Sequence, residues 1–166
     1  VKNIAYLSEN GINITHTLID LSSAMGAFDS SLLKGGSEIP EGHYEEVQMK
    51  STVVPNRNAI FASIVYGYAL SLSNREQCDV EIALGVHSGD HEIYPDCRPE
   101  FYSALEHAFA TGNWGSERVS FTLPYINGDK TTILNDARDA IEDLGLDFKT
   151  VFANTNTSYN PDKDGR

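Results

Sequence analysis

The densest run of reactive side chains lies in the stretch V-E-I-A-L-G-V-H-S-G-D-H-E-I-Y-P-D-C-R-P-E-F, Val80 to Phe101. After an apolar start it presents His87, Asp90, His91, Glu92, Tyr94, Asp96, Cys97, Arg98 and Glu100 within one loop. Pro95 and Pro99 stiffen the segment that carries the carboxylate, the thiol and the guanidinium. Such a loop suits ligand binding or catalysis better than a merely solvated, charged connection. A hydrolase triad of Ser88, Asp90 and His91 is disfavoured, because near-adjacent residues cannot converge and no nucleophile elbow is present.

Two further positions could meet an anion. Arg57 and Asn58 follow Val53-Val54-Pro55-Asn56, where Asn56 can cap a helix, so both fall in a first turn that favours negative charge. A capped helix with one surface arginine explains those residues equally well. Lys130 opens another helix, where the dipole disfavours a cation unless an anion such as phosphate is near. From the residues alone, a solvated lysine is the preferred reading of Lys130.

These groups need a scaffold, and the apolar spacing supplies one. Val80, Ile82, Leu84 and Val86 alternate as a strand, and Pro99 suits the first turn of a helix carrying Phe101, Leu105, Ala108 and Phe109. In open α/β sheets, ligands sit at the carboxyl ends of strands, where this loop begins. Upstream, residues 1–10 read as a helix closed by Gly11, and Ile12 to Leu21 as a strand in which His16 is a face residue. A short helix fits Ser23 to Leu33, and residues 39–49 form an ordered excursion. Val53-Val54 read as a strand end. Ile60, Phe61, Ile64, Val65, Tyr68 and Leu72 mark a core helix. Downstream, Trp114 reads as a core plug or a contact surface, and Val119 to Leu123 as a strand. A helix follows from Asp129, with Ile133, Ala137, Ile141 and Leu144 on one face, and Phe148 to Phe152 as a last strand. The alternation predicts a single α/β domain over 1–166 with a largely parallel sheet flanked by helices.

Bulk properties narrow the function. The formal net charge of −12 and the lack of any basic run argue against nucleic acid. No apolar stretch approaches the ~18 residues of a membrane span. Cys78 and Cys97 show no framework spacing, which predicts a reduced, cytoplasmic protein.

Three segments together resemble one family: P-E-G-H-Y-E-E-V-Q-M-K-S-T-V-V-P-N-R-N (Pro40 to Asn58), G-V-H-S-G-D-H-E-I-Y-P-D-C-R-P-E-F (Gly85 to Phe101), and Leu123-Pro124 through Lys130. They are similar to 7-cyano-7-deazaguanine synthases of the queuosine precursor pathway, within the N-type ATP-pyrophosphatase (PP-loop) superfamily. The resemblance implies an adenine nucleotide alpha hydrolase-like fold and an ATP- and Mg2+-using ligase. That enzyme turns 7-carboxy-7-deazaguanine and ammonia into the nitrile through an acyl adenylate and an amide. It also implies roles: Asp96, Cys97 and Arg98 as catalytic residues, Arg57, Asn58, Asp90, Tyr94 and Glu100 as substrate-binding residues, and Lys130 on ATP phosphate. Within these, Asp90 and Asp96 would accept from guanine-type N–H groups, Arg57 or Arg98 would clamp a carboxylate or phosphate, and Tyr94 would stack on the purine. Cys97 is either a covalent nucleophile or, preferably, a small buried thiol beside the pocket. A homodimer is what the family suggests.

The chain departs from the family pattern at both ends. The family's Ser-Gly-Gly-x-Asp-Ser phosphate loop has no counterpart; Phe28-Asp29-Ser30-Ser31 and Lys34-Gly35-Gly36-Ser37 share only its composition. The first strand is therefore expected to be missing and the chain to be part of a longer synthase. Ser158 stands where the first of four zinc cysteines is expected, so zinc in the usual site is not expected, and no metal ligand is assigned. Two other functions remain: a ligase that sends the activated acyl group to a different amine, and a non-catalytic deazapurine-binding or interaction module.

Overall fold

The computed structural model describes residues 1–33, 35–40, 47–90 and 94–156. In chain order the elements are α1 (Lys2–Glu9), α2 (Ser22–Met25), a 3-10 turn at Val47–Thr52, α3 (Arg57–Glu76) and β1 (Val80–Ala83). Further 3-10 turns at Ser88–Asp90 and Pro95–Cys97 lead to α4 (Pro99–Gly112) and, after a turn at Ser116–Arg118, to β2 (Val119–Thr122), α5 (Lys130–Asp143) and α6 (Phe148–Phe152).

β1 and β2 pair in parallel, with Val80 opposite Val119 and Ala83 opposite Thr122. Parallel neighbours need a crossover rather than a hairpin, and the segment that carries α4 provides it. The architecture is therefore α/β, a parallel two-stranded sheet flanked by helices. Tyr66 and Ala69 of α3 lie on Ile82 and Val119, with Leu70, Val80, Leu84, Phe109 and Phe121 packed around them. Tyr66 is the aromatic centre: its ring lies 4.5 Å from Phe109 and 6.0 Å from Phe121.

Several expected elements take another form. Ile12 to Leu21 adopts no regular structure, and Ile14, Leu18 and Ile19 are exposed, because an alternating sequence becomes a strand only when another strand bonds to it. Val53-Val54 follow the 3-10 turn as coil rather than ending a strand, although Val54 is buried. The helix expected over Ser23 to Leu33 is limited to Ser22–Met25. Phe148–Phe152 is a helix, not a strand: Asp147 accepts the Thr150 N–H at 2.7 Å as its cap, and Phe148 stacks on Phe152 one turn away.

The expected core face of α3 is also corrected. The buried positions are Ala62, Tyr66, Ala69 and Ser73, while Phe61, Val65 and Tyr68 are exposed. Small residues let the helix approach the strands closely, and the fully buried Ser73 hydroxyl is satisfied by donating to the Cys78 carbonyl at 2.7 Å. Trp114, offered as a core plug or contact surface, is 97% exposed and plugs no core. Other readings hold: Gly11 and Gly145 close α1 and α5 with positive φ, and Pro99 begins α4.

Two predictions follow from this packing. Tyr66→Ala removes the ring on which Phe109 and Phe121 rest, and urea denaturation should show a loss of about 3–5 kcal/mol. Asp129 and Asp147 cap α5 and α6, and their hydrogen bonds to Thr132 and Thr150 hold both carboxyls below the ordinary 3.8. A lowered folded value stabilises the fold above the unfolded value, and that contribution is lost as pH falls through the folded value. Urea midpoints should therefore fall on the acid side of pH 3.8, and less steeply in the Asp129→Asn/Asp147→Asn variant.

Candidate active site at the junction of α3 and the Tyr94–Arg98 turn

Tyr94 and Arg98 each precede a proline, and each adopts the extended backbone that the proline ring imposes on its predecessor (φ −108°, ψ 92° and φ −85°, ψ 152°). Between them Pro95–Cys97 forms a single 3-10 turn, with the Cys97 N–H donating to the Tyr94 carbonyl at 2.9 Å. The turn packs against the start of α3. Asn56 occupies the cap position there, but in the left-handed conformation (φ 58°) and with no side-chain cap bond, which differs from the expected asparagine cap. The Asp96 carboxylate takes over part of that task by accepting the Asn58 backbone N–H at 3.4 Å.

Asn58 completes the junction. Its Nδ2 donates to the Asp96 carbonyl at 3.2 Å and to Cys97 Sγ at 3.5 Å, while its Oδ1 accepts from Arg57 Nε at 3.3 Å. Cys97 is 4% exposed, matching a small buried thiol. Tyr94 is 3% exposed; its hydroxyl lies 2.8 Å from Thr52 Oγ1, and the Arg57 guanidinium sits 6.0 Å from its ring centre. Thr52 has no exposed surface, and the neighbouring Ser51 carbonyl accepts from Ser30 Oγ, Ser31 Oγ and the Ser31 N–H. Residues 30–31, 51–52, 57–58 and 94–97 are thus fastened together. Tyr102 of α4 shares this environment. Burial pushes its hydroxyl up to about 12, with the nearby Cys97 and Asp96 adding to the effect and Arg57 opposing it.

Arg57 also borders an open, mostly apolar groove of about 600 Å³ lined by Leu18, Ile19, Leu21, Met25, Val54 and Phe61. Asp20 stands in the same wall; the Ser22 hydroxyl and then the Ser22 N–H, which donates to it at 2.8 Å, hold its carboxyl below the usual range.

The remaining candidates lie around this junction or at a second locus. Arg98 and Glu100 are exposed at the start of α4, where Glu100 suits the positive end of the helix dipole. Asp90 ends the Ser88–Asp90 turn, but its side chain, like His91 and Glu92, lies outside the described residues, as do Lys34 and Ser158. Lys130 is exposed at the first residue of α5, beside the Asp129 carboxylate that already caps that helix. This locus is tied to the loop after β1, since the Ser88 N–H and hydroxyl both donate to the Gly128 carbonyl. In that loop the buried His87 accepts the Gly89 N–H on Nδ1 at 3.1 Å. Ser31, Thr52, Asp20 and Tyr102 escaped the sequence reading; for Thr52 the available signal was its place directly before Val53-Val54 within the recognised motif.

A fixed turn carrying Asp96 and Cys97 on the first turn of the Val54-Pro55-Asn56-Arg57 helix joins two of the motifs that mark one family. The model of the queuosine biosynthesis protein QueC family matches residues 2–166. The chain belongs to that family. It is 41% identical over 149 residues to the 7-cyano-7-deazaguanine synthase of Marinomonas sp. (strain MWYL1), covering 90% of this chain and 61% of that protein. It is 43% identical over 147 residues to 7-cyano-7-deazaguanine synthase 1 of Colwellia psychrerythraea (89% and 61%), and 40% identical over 161 residues to the synthase of Pseudoalteromonas atlantica (96% and 67%). The chain thus spans about 61% of the length of the first two of these QueC relatives. No solved structure matches it.

No three His, Cys, Asp or Glu side chains converge as a metal site among the described residues. Nor is any helix among them long and apolar enough to cross a membrane.

The Thr52–Tyr94 bond makes a quantitative prediction. Thr52→Val or Tyr94→Phe alone breaks this buried hydrogen bond and should cost about 1–3 kcal/mol in urea denaturation. The double variant should cost clearly less than the sum, because both single variants break the same bond.

Proposed function

We infer that the polypeptide to which this chain belongs is an ATP-dependent ligase of the QueC type that makes 7-cyano-7-deazaguanine from 7-carboxy-7-deazaguanine and ammonia, in the PP-loop fold. What carries the reading is the junction of Arg57, Asn58, Asp96 and Cys97 beside an apolar groove, in a chain whose relatives bear the synthase name. ATP, when bound, would supply the activation that lets one oxygen of the substrate carboxylate, and later the amide oxygen, depart with the nucleotide's phosphate. The resident residues bind and orient. A flat, weakly polar heterocycle fits the groove walls of Leu18, Ile19 and Phe61, and the guanidinium of Arg57 reaches the carboxylate at the groove's edge. Asp20, kept acidic by the Ser22 hydroxyl and N–H, accepts from guanine-type N–H groups, a task shared with Asp90 in this reading.

Tyr94 acts as a buried strut that positions Arg57, in place of the open stacking surface first expected of it. Asp96 and Cys97 sit at the reacting carbon, with Arg98 and Lys130 meeting phosphate and Glu100 completing the substrate contacts at the start of α4. The proposed chemistry needs a divalent ion on the triphosphate, and no three His, Cys, Asp or Glu side chains converge for one among the described residues, so no step is assigned to Mg2+ or Zn2+. A homodimer in the cytoplasm is part of the same proposal.

The test is a product assay on the full-length protein with ATP, 15N-labelled ammonia and the carboxylated deazaguanine. Mass spectrometry should find a nitrile carrying one heavy nitrogen. An amide, a conjugate with another amine, or no product would overturn the nitrile-forming reading. Arg57→Ala should raise KM for the carboxylated substrate about tenfold or more through loss of a charge-assisted bidentate contact.

A further inference from the structure

The side chain of Asn58 has little left to offer a ligand. Both hydrogens of its carboxamide are engaged, one toward the Asp96 carbonyl at 3.2 Å and one toward Cys97 Sγ at 3.5 Å. Its carbonyl oxygen accepts from Arg57 Nε at 3.3 Å, and its backbone N–H goes to the Asp96 carboxylate at 3.4 Å. One residue therefore bonds to the guanidinium at the groove and to the thiol of the adjoining turn. A free asparagine reading a purine edge would keep its amide hydrogens for the ligand; this one uses them to tie two consecutive residues of one turn, 38 and 39 positions away in sequence, to α3.

We propose that Asn58 is a positioning residue rather than a substrate-binding one: its carboxamide fixes Arg57 and Cys97 in a single orientation relative to each other. The proposal deepens the ligase reading and rests on it for the identity of the substrate, but not for the geometry. Each arm of the amide has its own consequence. The oxygen arm holds the guanidinium and so acts on ground-state binding of a carboxylate. The nitrogen arm donates to sulfur, which favours the thiolate and fixes where Sγ points. Among the described residues, the Arg57 guanidinium and the Asp96 carboxylate share the surroundings of the Tyr102 hydroxyl with that sulfur, and Arg98 is next in the chain.

The test uses the full-length protein and two variants. Asn58→Ala removes both arms without adding charge and opens the site to water, which by itself would not disfavour the thiolate. Alkylation of Cys97 by iodoacetamide, followed by mass spectrometry of the peptide that carries it, should reach half its plateau rate at a higher pH in Asn58→Ala than in the wild type. An unchanged or lowered midpoint overturns the nitrogen arm. Asn58→Asp keeps an acceptor for Arg57 Nε and loses the amide donors. In the product assay it should lower kcat about tenfold or more with KM nearly unchanged, whereas Asn58→Ala alters both. A rise in KM alone in both variants would mean that Asn58 contacts the substrate, and would overturn the proposal. The alkylation result needs no turnover, so an inactive product assay with a shifted midpoint would sink the ligase reading and leave the role of Asn58 standing.

Discussion

Two prolines, each dictating the backbone of the residue before it, leave the segment from Tyr94 to Arg98 with very few conformations. The rest of the candidate site is fastened to that turn. Its first residue is anchored through Thr52 to the polar segment at Ser30 and Ser31, its middle through Asn58 to α3, and its end becomes the start of α4. The order required of a site is thereby supplied by covalent restriction and by one buried and several part-buried hydrogen bonds. Conformational freedom is removed where the thiol and carboxylate sit, and the apolar groove beside them is left open.

The core explains why that turn has something rigid to lean on. α3 presents Ala62, Ala69 and Ser73 to its neighbours, so its backbone lies close to β1 and β2, and Tyr66 fills the space that the small residues leave. Its large apolar residues, Phe61, Val65 and Tyr68, stay outside, and Phe61 becomes part of the groove wall. A chain that spans about 61% of the length of two of its relatives carries here the strand–turn–helix unit that positions the Tyr94–Arg98 segment, with the activity itself belonging to the proposal for the whole protein.

Much of this was legible in the residues. Pro99, Gly11, Gly145 and Asp129 mark element ends whose chemistry is local, and each ends or begins an element where expected. The motif strings located the turn and the helix that meet at the site. What was not legible depends on partners far away in sequence. Ile12 to Leu21 alternates as a strand does, yet pairing is a property of two segments, and no described residue pairs with it. α3 is apolar on more than one face, so periodicity alone favoured Phe61 and Val65 over the small residues that pack. Phe148–Phe152 is too short for its pattern to outweigh the Asp147 cap. The role of Asp96 as a cap in trans, and the amide bridge of Asn58, involve residues 38 and 39 positions apart and leave no periodic trace.

The most direct measurement is a crystal structure of the full-length protein with 7-carboxy-7-deazaguanine bound. The account predicts the ring in the groove between Ile19 and Phe61, its carboxylate on Arg57, and its carboxyl carbon facing the turn that carries Asp96 and Cys97. Density for the ligand away from that groove, with Arg57 and the Tyr94–Arg98 turn untouched, would contradict it.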